Sequence, residues 1–276
     1  MIERRLGHHK TISQSIGRGW ILVGAVVLAI IVLSFASAVD AAAQNDLSPS
    51  EKTQIIEKAR EVALQYTANL PNFICTETIR RSQIQKRSET WKLLDTIAVD
   101  VAFSDQGERY NMLTINGKPT RKSFKEIGGT RSDGEFGTIL QWIFQPESQT
   151  QFQSERPADV RGRSTFVFSY GIEKEHSKFE VNHTITAFGG LIYVDPETNR
   201  VLKMTAITSG IPASWALTSF SQEVDYGFAE IGGQQFFLPL HAQTTATMQD
   251  RSQTRNEMEF GNYRKFTSDA ILKFEP

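Results

Sequence analysis

From Asn72 to Phe266 apolar and polar residues alternate with a period of two, segment after segment, and most segments close on a turn signal. A helix needs a period of 3.6, so a chain written this way builds most of its structure from strands that bury one face. Phe73, Cys75 and Ile79 share one face of a first strand, and Trp91, Leu93, Ile97, Val99, Val101 and Phe103 one face of a long second. Tyr110 to Ile115 follows and ends in Asn116-Gly117, the strongest short-range hairpin signal. Later rows are Phe166, Phe168, Tyr170 and Ile172; then Phe179, Val181, His183, Ile185 and Ala187; then Phe220, Val224, Tyr226 and Phe228. Phe236, Leu238, Leu240, Ala242, Ala246 and Met248 form the next, with Pro239 marking an edge or bulge, and Met258, Phe260 and Phe266 the last. About ten antiparallel strands joined by short turns make a sheet that must curl, either fully into a barrel or partly into a half-barrel.

Between Gly189 and Ser209 two extended segments fold on Asp195-Pro-Glu-Thr-Asn199, where Pro196 fixes φ and the Asx side chains close the turn. This is expected to be the central hairpin of the sheet. In its first arm Leu191 and Tyr193 face one way and Ile192 and Val194 the other, so both faces require cover. Gly189-Gly190 and Gly232-Gly233 stand between strands and are expected as turn glycines.

Two stretches depart from the strand rhythm. Ser48-Pro49-Ser50-Glu51 has the form of a capping box, and Ile55, Ala59, Val62 and Tyr66 recur behind it at helical spacing, with Ile56 and Ala63 beside them. An amphipathic helix packed on the sheet and ending before Pro71 is expected. Within Ser123–Gly162, a cap at Ser132 and apolar residues Phe136, Ile139, Leu140 and Ile143 predict a short helix over Glu135–Phe144. Inserted between blocks of strands, it is placed either as a lid or as ordinary core packing.

The N-terminus has its own grammar. Arg4, Arg5, Lys10 and Arg18 precede an uncharged apolar run from Trp20 to Phe35 and then small residues up to Ala43. This has the form of a secretion signal, cleaved after Ala43 or retained as an inner-membrane anchor over residues 20–39. Residues 1–43 are set apart on this basis, and residues 44–276 are expected to form one β domain, periplasmic or secreted in a bacterium. With 30 basic and 31 acidic side chains there is no basic field to gather phosphates, which argues against nucleic acid as a partner. The single cysteine, Cys75, excludes a disulfide within the chain and is expected as a small buried hydrophobe.

The five histidines include His8 and His9 in the leader, while His176, His183 and His241 have no ligand spacing; no metal and no cofactor is expected. His183 is expected as a satisfied core residue on an apolar strand face, and Asn182-His183-Thr184, though a glycosylation sequon, is expected inside that strand. Nucleophile elbows and phosphate-binding glycine loops are absent. Glu257 and Glu259 share a strand face as solvated charges. Asp95 interrupts the apolar row of the second strand, so its carboxylate must be paired, at a mouth or on a local bulge.

The helix Ser48–Leu70, the segment Leu191-Ile-Tyr-Val-Asp-Pro-Glu-Thr-Asn-Arg200 followed by Val201-Leu-Lys-Met204, and the closing meander Phe220–Phe266 resemble the periplasmic lipoprotein-carrier superfamily: the outer-membrane lipoprotein-sorting proteins and their sensor relatives. Asn116-Gly-Lys-Pro119 and Ile211-Pro-Ala-Ser-Trp215 look like segments of uncharacterised secreted bacterial proteins. The resemblance implies a mainly β fold with a few helices: a large curved antiparallel sheet, an unclosed half-barrel, with the two helices over a concave apolar face that holds acyl chains in the carriers. It implies no catalytic residue. The function expected is a non-enzymatic extracytoplasmic protein that holds a lipid, a lipoprotein acyl chain or another apolar small molecule. Candidate lining residues are Phe103, Phe166, Phe168, Tyr193, Phe228, Phe236, Leu238 and Met258, with Phe136, Ile139, Leu140 and Trp142 as the lid. The alternatives are an envelope interaction or sensing module, solid inside, whose loops Ile211–Trp215 and Lys118–Thr130 bind another protein, and a hydrolase with an unrecognised site. If the leader is retained, membrane contact runs through it.

Overall fold

A computed structural model describes residues 47–266, apart from 87, 105–106 and 131–133. The leader and the cap at Ser132 expected from the sequence lie outside the described residues. In chain order the elements are α1 (Pro49–Gln65), β1 (Phe73–Ile84), β2 (Lys92–Ser104), β3 (Gly107–Ile115), β4 (Lys118–Pro119), α2 (Phe124–Ile127), α3 (Thr138–Phe144), β5 (Gln151–Ser154), β6 (Ala158–Val160) and β7 (Arg163–Ile172). They continue with β8 (Glu180–Val181), β9 (Thr184–Ile185), β10 (Ala187–Val194), β11 (Val201–Ser209), β12 (Leu217–Ile231), β13 (Gln234–Met248) and β14 (Gln253–Lys265).

Twelve strands make one open antiparallel sheet in the order β4-β3-β2-β1-β14-β13-β12-β11-β10-β7-β5, with β6 on β7; β8 and β9 pair separately. The sheet does not close, which makes it a half-barrel. Its interior is written by strand alternation. Phe168, Ile192, Met204, Val224, Ala242, Met258, Ile79 and Ile97 stand in register across eight neighbouring strands, and all are buried. The opposite face carries charge: Lys203 Nζ meets Glu223 at 2.6 Å, and Asp225 lies 3.7 Å from His241. One face seeks cover and the other seeks water.

The cover comes from α1 and α3. The Ser48 hydroxyl accepts from the Glu51 N–H, and the Glu51 carboxylate accepts from the Ser48 N–H at 2.8 Å, closing the capping box. The buried stripe is Ile56, Ala59, Ala63 and Tyr66, one position round from Ile55 and Val62. At the end of α1, Gly137 lies so close to the Tyr66 ring that a Cβ there would stand 2.4 Å from it. Arg60 donates to the carbonyl of Phe144, and the Gln141 amide donates to the Thr67 hydroxyl at 2.7 Å, so the middle and the C-terminal end of α3 are tied to α1 and to the turn that follows it.

Several expectations change. The hairpin β10–β11 lies towards one side of the sheet; β1, β14, β13 and β12 occupy its middle. Gly189 and Gly190 lie inside β10, where each lets a neighbouring backbone approach: an added Cβ would meet the Tyr170 carbonyl oxygen at 2.5 Å and that of Thr205 at 2.0 Å. The segment Phe179–Ala187 is no continuous strand. Asn182 and His183 both take left-handed φ, +47° and +60°, and turn β8 back on β9, leaving the His183 side chain fully exposed rather than in the core. The inserted helix starts at Thr138 instead of Glu135, behind Gly137 at φ +110°, and a short α2 precedes it. Asn116-Gly117 turns as expected, with φ of +50° and +73°. The register slips between Arg81 and Ser82, leaving Leu94 over, and Asp95 is both beside this bulge and paired: its carboxylate accepts two bonds from Arg81, at 2.6 and 2.7 Å.

Gly190→Ala is expected to destabilise the fold by about 1–3 kcal/mol, because the contact is with backbone that has nowhere to move. Gly171→Ala, whose Cβ would meet nothing within 4 Å, is expected to stay within about 0.5 kcal/mol; urea midpoints compare the two.

Candidate functional site

The interior face of the sheet is mainly apolar, and one row that crosses it is polar. Next to the apolar row described above, Gln222, Thr244, Asn256, Arg81 and Asp95 stand in register from β12 to β2. A polar group under a lid must find a partner or cost free energy, and here the connection leading into α3 supplies the partners. Gln222 donates to the Glu135 carboxylate at 2.8 Å, Asn256 to the Thr130 carbonyl at 2.7 Å, and Arg81 to the Gly128 carbonyl at 2.6 Å. The Tyr226 hydroxyl donates to the Glu135 carbonyl at 3.0 Å. The hydroxyl of Thr244, between Gln222 and Asn256 in the row, has no partner.

At one end of the interior face the packing leaves a cavity of about 460 Å³. Its sheet wall is Leu217, Phe220, Gln222, Ala246, Met248 and Thr254, from the adjoining ends of β12, β13 and β14. Gly129 and Thr130 form one edge, Trp142 of α3 comes from above, and the small hairpin β8–β9 closes the remaining side with Phe179, Glu180, Val181 and Asn182. The Trp142 ring meets Phe179 edge-on at 6.2 Å, and Phe179 in turn packs on Phe188 at 4.9 Å and on Phe220 at 6.2 Å. These aromatic contacts hold the hairpin against the sheet.

Of the twelve candidate residues taken from the sequence, Trp142 alone borders this cavity. Phe168, Leu238 and Met258 are buried in the packed core, as are Phe136 before α3 and Ile139 and Leu140 on its inward side. Phe136 fills the other end of the interior face, with ring centroids 5.4 Å from both Phe73 and Phe260 and 5.9 Å from Phe103, which stacks on Phe73 at 5.1 Å. Phe166, Tyr193 and Phe236 are half-buried against the core. Phe228 is 54% exposed, with the Arg200 guanidinium 5.1 Å from its ring centroid. The alternation that selected these residues marks the inward face correctly for Phe168 and Met258, but it does not distinguish a wall from a filling.

A second group of polar side chains lies deep in the fold. Tyr66, Tyr110 and Tyr226 share this region with the carboxylates of Glu108 and Glu135. Burial pushes all three phenols far up, and the neighbouring acids add to it. A phenol so shifted keeps its proton and is a poor base or nucleophile. Cys75 is in the same condition: burial pushes its thiol up, and Glu77, Glu108 and Asp100 reinforce the shift against Arg264. Among the described residues no three His, Cys, Asp or Glu side chains could hold a metal ion. None of their helices is long and apolar enough to cross a membrane.

No family profile matches the chain, and no curated protein matches it. Among solved structures it is similar to a LolA superfamily protein from Nitrosomonas europaea, at 13% identity over 81% of this chain and 97% of that one, TM-score 0.34. A DUF1329 family protein from Desulfovibrio piger is similar at 11% identity over 80% and 97%, TM-score 0.39. So is the lipoprotein LppX of Mycobacterium tuberculosis, at 8% identity over 78% and 98%, TM-score 0.31.

Two outcomes follow from the site. The thiol of Cys75 is expected to stay unmodified by a disulfide reagent in the folded protein and to react at once in urea, which absorbance of the released thiolate follows. Asp95→Ala is expected to cost about 3 kcal/mol in urea unfolding, because it strands the largely buried Arg81 guanidinium.

Proposed function

We propose that this is an extracytoplasmic, non-enzymatic binding protein that holds an apolar small molecule, a lipid or an acyl chain, between the open sheet and its cover. The observation that carries this reading is the cavity of about 460 Å³ between sheet, α3 and the β8–β9 hairpin, whose larger lining side chains are Trp142, Phe179, Leu217, Phe220 and Met248. Its size lies within the about 300–1,000 Å³ usual for small-molecule sites, and its lining has the usual mixture of apolar walls and a few polar groups. The extracytoplasmic setting rests on the basic, apolar and small-residue succession of residues 4–43. Absence of catalysis is the simpler reading because the buried phenols and the Cys75 thiol are held protonated in packed interior and none of them lines the cavity.

One observation favours the second reading, an envelope interaction or sensing module. Most of the interior face is packed solid around Phe136, Phe168 and Met258. Its proposed apolar loop, however, presents little: Ile211 and Trp215 are half-buried against the core.

Native mass spectrometry of the protein purified from a bacterial periplasm is expected to show co-purifying lipid mass. Ala246→Phe projects a ring into the cavity from the sheet wall and is expected to abolish both that mass and the uptake of a fluorescent long-chain lipid, with an unchanged far-ultraviolet circular dichroism spectrum. A clean apo mass together with no uptake by the wild-type protein would move the assignment to the interaction module.

A further inference from the structure

The polar groups around the cavity narrow what its occupant can carry at its head. Resting on the cavity reading above, we propose that the site selects long-chain lipids with an uncharged head, such as an alcohol, over those ending in a carboxylate or another anion. The uncharged polar side chains at the cavity are hydroxyls and amides: Thr130, Asn182, Gln222 and Thr254. Thr130 and Thr254 already share a hydrogen bond at 3.0 Å, and the Gln222 amide donates to Glu135 at 2.8 Å, so they offer a head group single exchanges of hydrogen bonds and no cluster of donors. The one formal charge on the lining is negative, the Glu180 carboxylate on the β8–β9 hairpin, and among the described residues no Lys or Arg borders the cavity. Glu180 Oε1 lies 3.2 Å from the fully exposed imidazole of His183.

An anionic head at this mouth would leave water, face a like charge and find, among the described residues of the lining, no cation to replace its hydration. An alcohol loses far less and exchanges one hydrogen bond with water for one with an amide or hydroxyl. The apolar tail sees the same Trp142, Phe179, Phe220 and Met248 in both cases, so the head alone separates them. Because Glu180 is half exposed, its effect is that of a charge in a mostly aqueous setting rather than a buried one.

The test measures dissociation constants for 12-(1-pyrenyl)dodecanol and 12-(1-pyrenyl)dodecanoic acid at pH 8.5, where the acid is ionised, and at low ionic strength, for the wild type and Glu180→Lys. The alcohol is expected to bind about fivefold or more tightly than the acid in the wild type, the factor that one unit charge about 4 Å from another in water confers. Glu180→Lys is expected to close that gap or reverse it. Equal binding of the two probes by the wild type, or a ratio that Glu180→Lys leaves unchanged, overturns the head-group assignment while the cavity reading stands. Binding of neither probe overturns the cavity reading, and this inference with it.

Discussion

An open sheet with one apolar face cannot stand uncovered in water, and the rest of this structure is the means by which that face is closed. A barrel would have satisfied it by meeting itself. Here the sheet stops short, and two helices and a small hairpin are laid over the face instead. Burial alone would hold such a cover without fixing its position, since apolar contact is not directional. The row from Gln222 to Asp95 supplies direction. It sets side-chain donors under the connection entering α3 and receives backbone carbonyls in return, at Gly128 and Thr130, with the Glu135 carboxylate taking Gln222. Each polar group placed in an apolar face costs free energy unless matched, so the matching also discourages other placements of the cover.

The cavity is where this closure is incomplete. The Phe136 end of the interior is filled by rings from β1, β2, β14 and the lid, in contact at centroid separations near those of stacked and edge-on aromatic pairs. At the other end α3 contributes Trp142 alone to the cover of β12 and β13, and a two-stranded hairpin leaning on Phe188 and Phe220 serves as the remaining wall. That wall is held by aromatic contacts and by Thr186, whose backbone N–H and hydroxyl both donate to the Phe179 carbonyl. A small element held at its base is the part of the fold that moves with least loss of buried area.

Most of the fold was legible because alternation of period two is a direct consequence of the pleat. The capping box at Ser48, the turn at Asn116-Gly117 and the inward residues Phe220, Val224 and Tyr226 of β12 and Met258 and Phe260 of β14 could be read directly, whereas Phe228 is exposed and Phe266 falls beyond β14. The β8–β9 hairpin could not: Phe179, Val181, His183 and Ile185 continue one row on paper, but the two-residue turn at Asn182-His183 sets Val181 opposite Thr184 and Glu180 opposite Ile185, so past the turn the face of the odd residues passes to the even ones. Gly189-Gly190 misled in the opposite sense, since a glycine pair that permits close approach within a strand looks the same as one that permits a turn. The cavity lining was hidden because wall and filling share the same pattern. Which inward residues meet empty space depends on how far the cover extends, and that is set by contacts between segments distant in sequence.

The pairing of β1 with β14 has a consequence for how the chain comes to be folded. Thr78 stands opposite Glu259, so the first long strand and the last are neighbours in the middle of the sheet. The two halves of the sheet can each begin from local hairpins, β1 to β3 on one side and β10 to β14 on the other. They become one surface only when the C-terminal strand is available to bridge them, across a loop that contains nearly the whole domain. Such a closure is slow, because the entropy of the loop is spent before the contacts that repay it exist. A sheet built this way stays in two parts until β14 joins them, so its assembly is limited by the most distant pairing in the chain rather than by any of its hairpins.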